Sequence, residues 1–218
     1  TLAVDQITNY SFYNEYILKQ DLSLRLAKPS LAHPFGCDEF GRDLLLRILW
    51  RTKLSFAIGV VAIALSVIMG APFGMIAAFY GGKTDNAIMR VMDVLLAVPY
   101  MLLAMAIVAA LGTSTFNLLL ALAVSGIAKY ARIARAAVLT VKDSEFVEAA
   151  RAVGASDGTI LFQYILPNAL APILVQVSLG IGDSILAVAG LSYLGLGVQP
   201  PQPEWGAILT TARTYMRD

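Results

Sequence analysis

The sequence predicts an all-α, polytopic membrane helix bundle, and three observations carry that prediction. Of 218 residues, 58% are hydrophobic and only 14% are charged, against about 25% charged in water-soluble domains. Mean hydropathy is +0.70. The apolar residues are also gathered into uncharged runs, and a helix needs about 20 such residues to cross a bilayer. The same arithmetic excludes other classes. Sixteen Lys and Arg against fifteen Asp and Glu leave a formal charge of +1, which supplies no basic excess for nucleic acid. One cysteine, Cys37, and one histidine, His33, make neither a disulfide framework nor a zinc site, so no metal ligands are assigned.

The chain begins at Thr1 with neither an initiator Met nor a basic segment ahead of an apolar core. No signal peptide is expected, and the chain is expected to be part of a longer protein. Residues 1–53 are mixed and polar, with Tyr10, Phe12, Tyr13 and Tyr16 followed by Lys19, Asp21, Arg25 and Lys28, and read as a loop. Within it, 43–53 packs apolar residues among Arg47 and Arg51 with Trp50 between them. That pattern suits an interfacial helix, the alternative being an extension of the first span. The uncharged run from Leu54 to Gly82 gives a span at about 54–80. The next, Val94 to Ala128, is too long for one crossing and is interrupted by Gly112-Thr113-Ser114-Thr115. It predicts a tight hairpin of spans at about 94–111 and 116–130. Pro167, tolerated in a first helical turn, opens a last span at about 167–190, which makes four spans in all.

Between the third and fourth spans, Lys129, Arg132, Arg135, Lys142 and Arg151 mark the cytoplasmic side under the positive-inside rule. Residues 1–53 and 191–218 then lie outside. Arg42, Arg47, Arg51 and Lys53, on that external side, run against the rule unless their basic ends snorkel. Within the cytoplasmic segment 131–166, Ser144 can cap a helix, Glu145 suits its positive end, and Gly154 suits its left-handed terminus. Phe146, Ala149, Ala150 and Val153 recur at helical spacing, flanked by Glu148 and Arg151. A second short helix is expected from Ser156 to Leu166. Two short helices with an apolar ridge suit a knob for a partner's groove, the alternative being an amphipathic connector resting on the membrane.

Here the residues resemble a known family. Glu148-Ala149-Ala150, then Gly154, then Leu166-Pro167 reproduce the EAA motif of bacterial ABC-importer permeases, with Tyr164 departing from the isoleucine of the broad motif. Further stretches resemble the second permease subunit of the dipeptide, oligopeptide and nickel importers: His33 to Asp43, Tyr80-Gly81-Gly82-Lys83 with Asp85, Arg90 and Asp93, Leu191 to Pro201, and Glu204-Trp205-Gly206. The resemblance implies a type I importer transmembrane domain of six spans, four of them visible here, in the bacterial inner membrane. It implies a second permease, two cytoplasmic ATPase subunits that hold ATP and Mg, and an external substrate-binding protein. It also implies that the EAA segment is the ATPase-coupling element. The coupling set is Glu145, Phe146, Glu148, Ala149, Ala150, Arg151, Gly154, Ala155 and Pro167, of which Arg151 and Phe146 come from the helical face rather than the motif.

No catalytic residues are expected. Gly154 to Thr159 lacks the lysine of a phosphate-binding loop, and His33 has no nucleophile beside it in sequence. The alternative class, a secondary transporter or channel, would show intramembrane charges or an internal repeat. Asp183 is the one ionisable group in its apolar run. Such a group is expensive in lipid, so it faces the translocation path, or else reaches interface water or pairs with the partner permease. Residues 191–218, with Pro200, Pro201 and Pro203, are expected to form an external gate or receptor-contact loop, with Tyr193, Gly195, Gly197 and Trp205 as its candidate residues.

Overall fold

The structure, a computed structural model, describes residues 17–197 and 204–215. The aromatic group at 10–16 and positions 198–203 of the expected gate loop lie outside the described residues. Among those described, the chain folds into helices: α1 Leu44–Tyr80, α2 Gly82–Leu96, α3 Tyr100–Leu111, α4 Thr115–Leu139 and α5 Glu145–Ala152, then α6 Asp157–Tyr193 and α7 Trp205–Arg213. Helices α1, α4 and α6 are each long and apolar enough to cross a membrane, and α2 with α3 qualify together as a pair bent by 78°.

Helix α1 starts where Asp43 accepts a hydrogen bond from the Leu46 N–H at 2.8 Å. The same carboxylate receives His33 Nδ1 at 2.8 Å, so one side chain caps the helix and fastens the preceding loop. From there α1 runs unbroken, because nothing between Arg51 and Leu54 interrupts its backbone ladder. The separate interfacial helix expected at 43–53 is therefore the first turns of α1. Arg42 and Arg47 are held by Asp38 at 2.7 and 3.7 Å, so both cations are paired with a loop carboxylate rather than left as free flanking charges. The bend between α2 and α3 falls at Pro99, which lacks a backbone N–H and disfavours helical geometry at Val98.

Helices α1 and α4 form the central pair. Their backbones approach closely: a Cβ on Gly74 would lie 1.9 Å from the Ala131 carbonyl oxygen, and one on Gly70 2.4 Å from that of Ile127. Ser66 Oγ crosses the same seam to the Ala123 carbonyl at 3.0 Å. Small residues at such a seam let dispersion contacts hold helices together in lipid, where burial of apolar surface offers little drive. Arg135 grips Asp85 through two contacts of 2.6 Å and Arg132 meets Asp93 at 2.6 Å, tying α2 to α4.

The turn before α4 is capped by Ser114, which accepts from Asn117 N at 3.0 Å. Two differences from the sequence reading appear further on. Helix α4 continues to Leu139, so Lys129, Arg132 and Arg135 ride on a helix rather than in a loop, and Asp183 is not the sole charge inside the long helices. Helix α6 is continuous through Pro167, with Ile160–Ile165 wound as a π turn in which the Leu166 N–H reaches the Leu161 carbonyl. Pro167 cannot bond to the carbonyl four residues back, and the wider turn accommodates that loss.

Candidate functional site

The EAA segment folds as α5 and stands on a buried platform. Val147 and Ala150 face inward, into a cluster with Met75, Ala78, Ala137, Ile160 and Ile165 that joins α1, α4 and α6. Phe146 is 42% exposed and Val153 83% exposed, and Glu145, Glu148, Ala149 and Arg151 are exposed with them. The apolar face expected from spacing thus divides: Phe146, Ala149 and Val153 point outward, whereas Ala150 joins Val147 in the core. Sequence spacing missed Val147, whose signal was its position three residues before Ala150, one helical turn along the inner face.

Both ends of α5 are fixed locally. Ser144 holds the N-cap backbone geometry, but its hydroxyl bonds the Val141 carbonyl at 2.6 Å instead of a helix N–H. At the other end Gly154 adopts φ +83°, its N–H bonds the Arg151 carbonyl, and the Ala155 N–H bonds the Ala150 carbonyl, each at 3.0 Å. That double closure requires a left-handed residue between. A Cβ at Gly154 would meet nothing within 4 Å, so glycine serves the backbone conformation and not close packing. The segment is anchored to the end of α1 by the Arg151 guanidinium, 5.8 Å from the Phe79 ring centroid, and by Lys142 Nζ on the Ala78 carbonyl at 3.2 Å. Pro167 is an exposed position of α6 between Ile165 and Ala169 of this cluster.

A second group of predicted residues meets at the far end of α6. Tyr193 closes the helix, Gly195 takes φ +78°, and a Cβ on Gly197 would collide with Ser192. Residues 205–213, expected as loop, instead form α7, whose N-terminus is capped by the buried Glu204 through the N–H groups of Gly206 and Ala207. Trp205 Nε1 donates to the Ile48 carbonyl at 3.3 Å, and Thr210 Oγ1 to that of Tyr193 at 3.1 Å. This corner therefore joins α1, α6 and α7 through residues distant in sequence.

Asp183 lies in neither group. It faces Lys129 of α4 at 3.4 Å, in a groove of about 580 Å³ that Tyr100, Ser125, Tyr130 and Ser184 also line. Sequence reading missed Lys129 as its partner. The two are 54 positions apart, beyond the reach of any local sequence signal.

Residues 70–216 match the family described as "binding-protein-dependent transport system inner membrane component". The chain belongs to this family. It is similar to the dipeptide transport system permease protein of Alkalihalophilus pseudofirmus, 45% identical over 89% of this chain and 64% of that protein. It is also similar to the probable D,D-dipeptide transport system permease protein of Escherichia coli, 44% identical over 91% and 66% of the two chains. The glutathione transport system permease protein of Pectobacterium atrosepticum is 45% identical over 86% and 62%. The chain spans just under two thirds of the length of these relatives. Among solved structures, a chain of the MetNI methionine ABC transporter in an inward-facing conformation superposes with a TM-score of 0.64 over 79% of this chain and 92% of that one, at 16% identity, which supports the shared fold. As a member of this inner-membrane family, the chain has its α1, α4 and α6 as candidate spans and α5 as a short helix with an exposed edge between α4 and α6.

Proposed function

We propose that the chain is a non-catalytic permease subunit of an ATP-driven importer for small peptides, and that α5 is where it is driven. The observation that carries this reading is the build of α5: a short helix with an exposed edge of Phe146, Ala149 and Val153, flanked by Glu145, Glu148 and Arg151, whose inner face is locked into the core of α1, α4 and α6. A knob so mounted transmits a push to the spanning helices instead of swinging freely. The names of the relatives, which concern dipeptides, D,D-dipeptides and glutathione, favour peptides over nickel complexes.

In this reading a second homologous permease completes the path, two cytoplasmic ATPase subunits bind ATP and Mg, and an external binding protein delivers substrate. Residues 131–166 face the cytoplasm, and 1–53 with 191–218 face outward. Closure of the ATPases draws the coupling helices together, and the rigid helices carry that motion to the opposite side. Tyr193, Gly195, Gly197 and Trp205 then form the external corner that α6, α7 and the start of α1 share.

The test is uptake of dialanine into proteoliposomes that contain the complete permease with its partner subunits and binding protein. Uptake is expected only with ATP and both ATPase subunits present. Accumulation that persists without the ATPases overturns the reading. The double variant Glu148→Lys with Gly154→Val is expected to prevent the ATPase from co-purifying with the permease, and unchanged co-purification would refute the role given to α5.

A further inference from the structure

The groove between α4 and α6 holds more polar chemistry than helix packing needs. Lys129 and Asp183 both lie on helices long and apolar enough to cross a membrane, at least ten residues from either end. Charges on such helices face a polar path or a partner, because lipid does not solvate them. Their side chains are 46% and 70% exposed, and the contact of 3.4 Å is long. Lys129 therefore keeps donors in reserve, and the Asp183 carboxylate keeps lone pairs.

A second, independent observation concerns hydroxyls. Tyr130 and Ser184 are each 1% exposed, both belong to the groove wall, and neither hydroxyl has a hydrogen-bond partner among the described residues. Buried polar groups are nearly always paired, so two orphans beside an open ion pair mark a place where a polar guest completes the bonding. The groove's volume of about 580 Å³ falls in the range of small-molecule sites. A bare metal cation does not suit it: Lys129 repels one, and no cluster of three metal-ligating side chains exists among the described residues.

We propose that this groove is a station for a small zwitterion among the membrane helices, in which Asp183 receives an ammonium group, Lys129 receives a carboxylate, and the Tyr130 and Ser184 hydroxyls bond the amide between them. The proposal rests on the importer reading above and deepens it. A peptide carries both charges, so the ion pair opens to bind it and closes again when it leaves. That exchange lets a charged molecule pass without exposing an unpaired charge to the membrane at any point.

The test uses the complete transporter in proteoliposomes, with dialanine as probe and ATP hydrolysis in the same vesicles as the measure of assembly. Asp183→Asn and Lys129→Gln are each expected to lower dialanine uptake per ATP hydrolysed by about tenfold, the scale of a lost hydrogen bond to a charged group. The double neutral variant separates the alternatives. If the pair were only structural, removing both charges would remove the unpaired partner and restore uptake. As a substrate station, the groove stays impaired. Uptake within about twofold of wild type in the single variants, or recovery in the double variant, overturns the proposal. If the charge variants do not assemble, Tyr130→Phe combined with Ser184→Ala decides: a loss of about threefold or more supports the station, and wild-type uptake overturns it. Wild-type vesicles that take up no dialanine with ATP overturn the importer reading, and the proposal with it.

Discussion

At residue scale, Cys37 and Gly154 show how local chemistry reports on the fold. Cys37 is 5% exposed, and burial pushes its thiol up, with the carboxylates of Asp43, Asp38 and Asp21 adding to the effect. A raised thiol favours the neutral form in the fold, so its contribution to stability is complete at neutral pH and lost as pH rises through the folded value. Iodoacetamide at pH 8 is therefore expected to alkylate Cys37 far more slowly in the native protein than in denaturant. Equal rates would mean that the loop at 33–43 does not pack as described. At Gly154, substitution is strained by φ +83° and not by neighbours. Gly154→Val is expected to cost about 1–2 kcal/mol, and Gly154→Asn clearly less, since Asn tolerates the left-handed region. Thermal melting of the two variants checks that order. The sequence alone pointed to this glycine, because a helix terminus is a local event. It did not pair Lys129 with Asp183, because the two are 54 positions apart and periodicity carries no information over that range.

At the scale of elements, the approach of α1 to α4 is a strict packing constraint. A Cβ at Gly74 would sit 1.9 Å from a backbone oxygen of α4, and a backbone cannot swing aside as a side chain can. Gly74→Val is expected to destabilise the protein by about 3 kcal/mol by forcing the helices apart, and to lower Tm by several degrees. Gly182→Ala, on α6 with nothing within 4 Å, is expected to be neutral or to stabilise by up to about 1 kcal/mol. Similar losses in both would contradict the close approach. Element boundaries marked by short-range signals could be read from sequence: Ser114 and Ser156 at helix starts, Gly112 and Gly154 at ends. Those that depend on what a helix does next to a proline could not. Pro167 reads as a start, yet the π turn at Ile160–Ile165 carries α6 through it. The cap of α7 was hidden because Glu204, an acid that reads as exposed, is wholly buried.

At the scale of the whole molecule, the buried side of α5 ties a surface knob to three long helices, and its outer side presents Phe146, Ala149 and Val153. Hydropathy established the membrane class, and the EAA spacing located the knob. Neither showed that Ala150 and Val147 weld it to the core, since that contact needs α1, α4 and α6 in their folded places. The central claim is that an ATPase subunit grips this outer edge. It is tested most directly by placing one cysteine at Val153, which is 83% exposed, in a Cys37→Ser background, and treating the assembled transporter with a short bifunctional maleimide. A cross-link is expected from position 153 to an ATPase subunit carrying a cysteine in its docking groove, and none from a cysteine at Leu22, which is 68% exposed in the segment proposed to face outward. Cross-linking from Leu22 and not from 153 would contradict that claim.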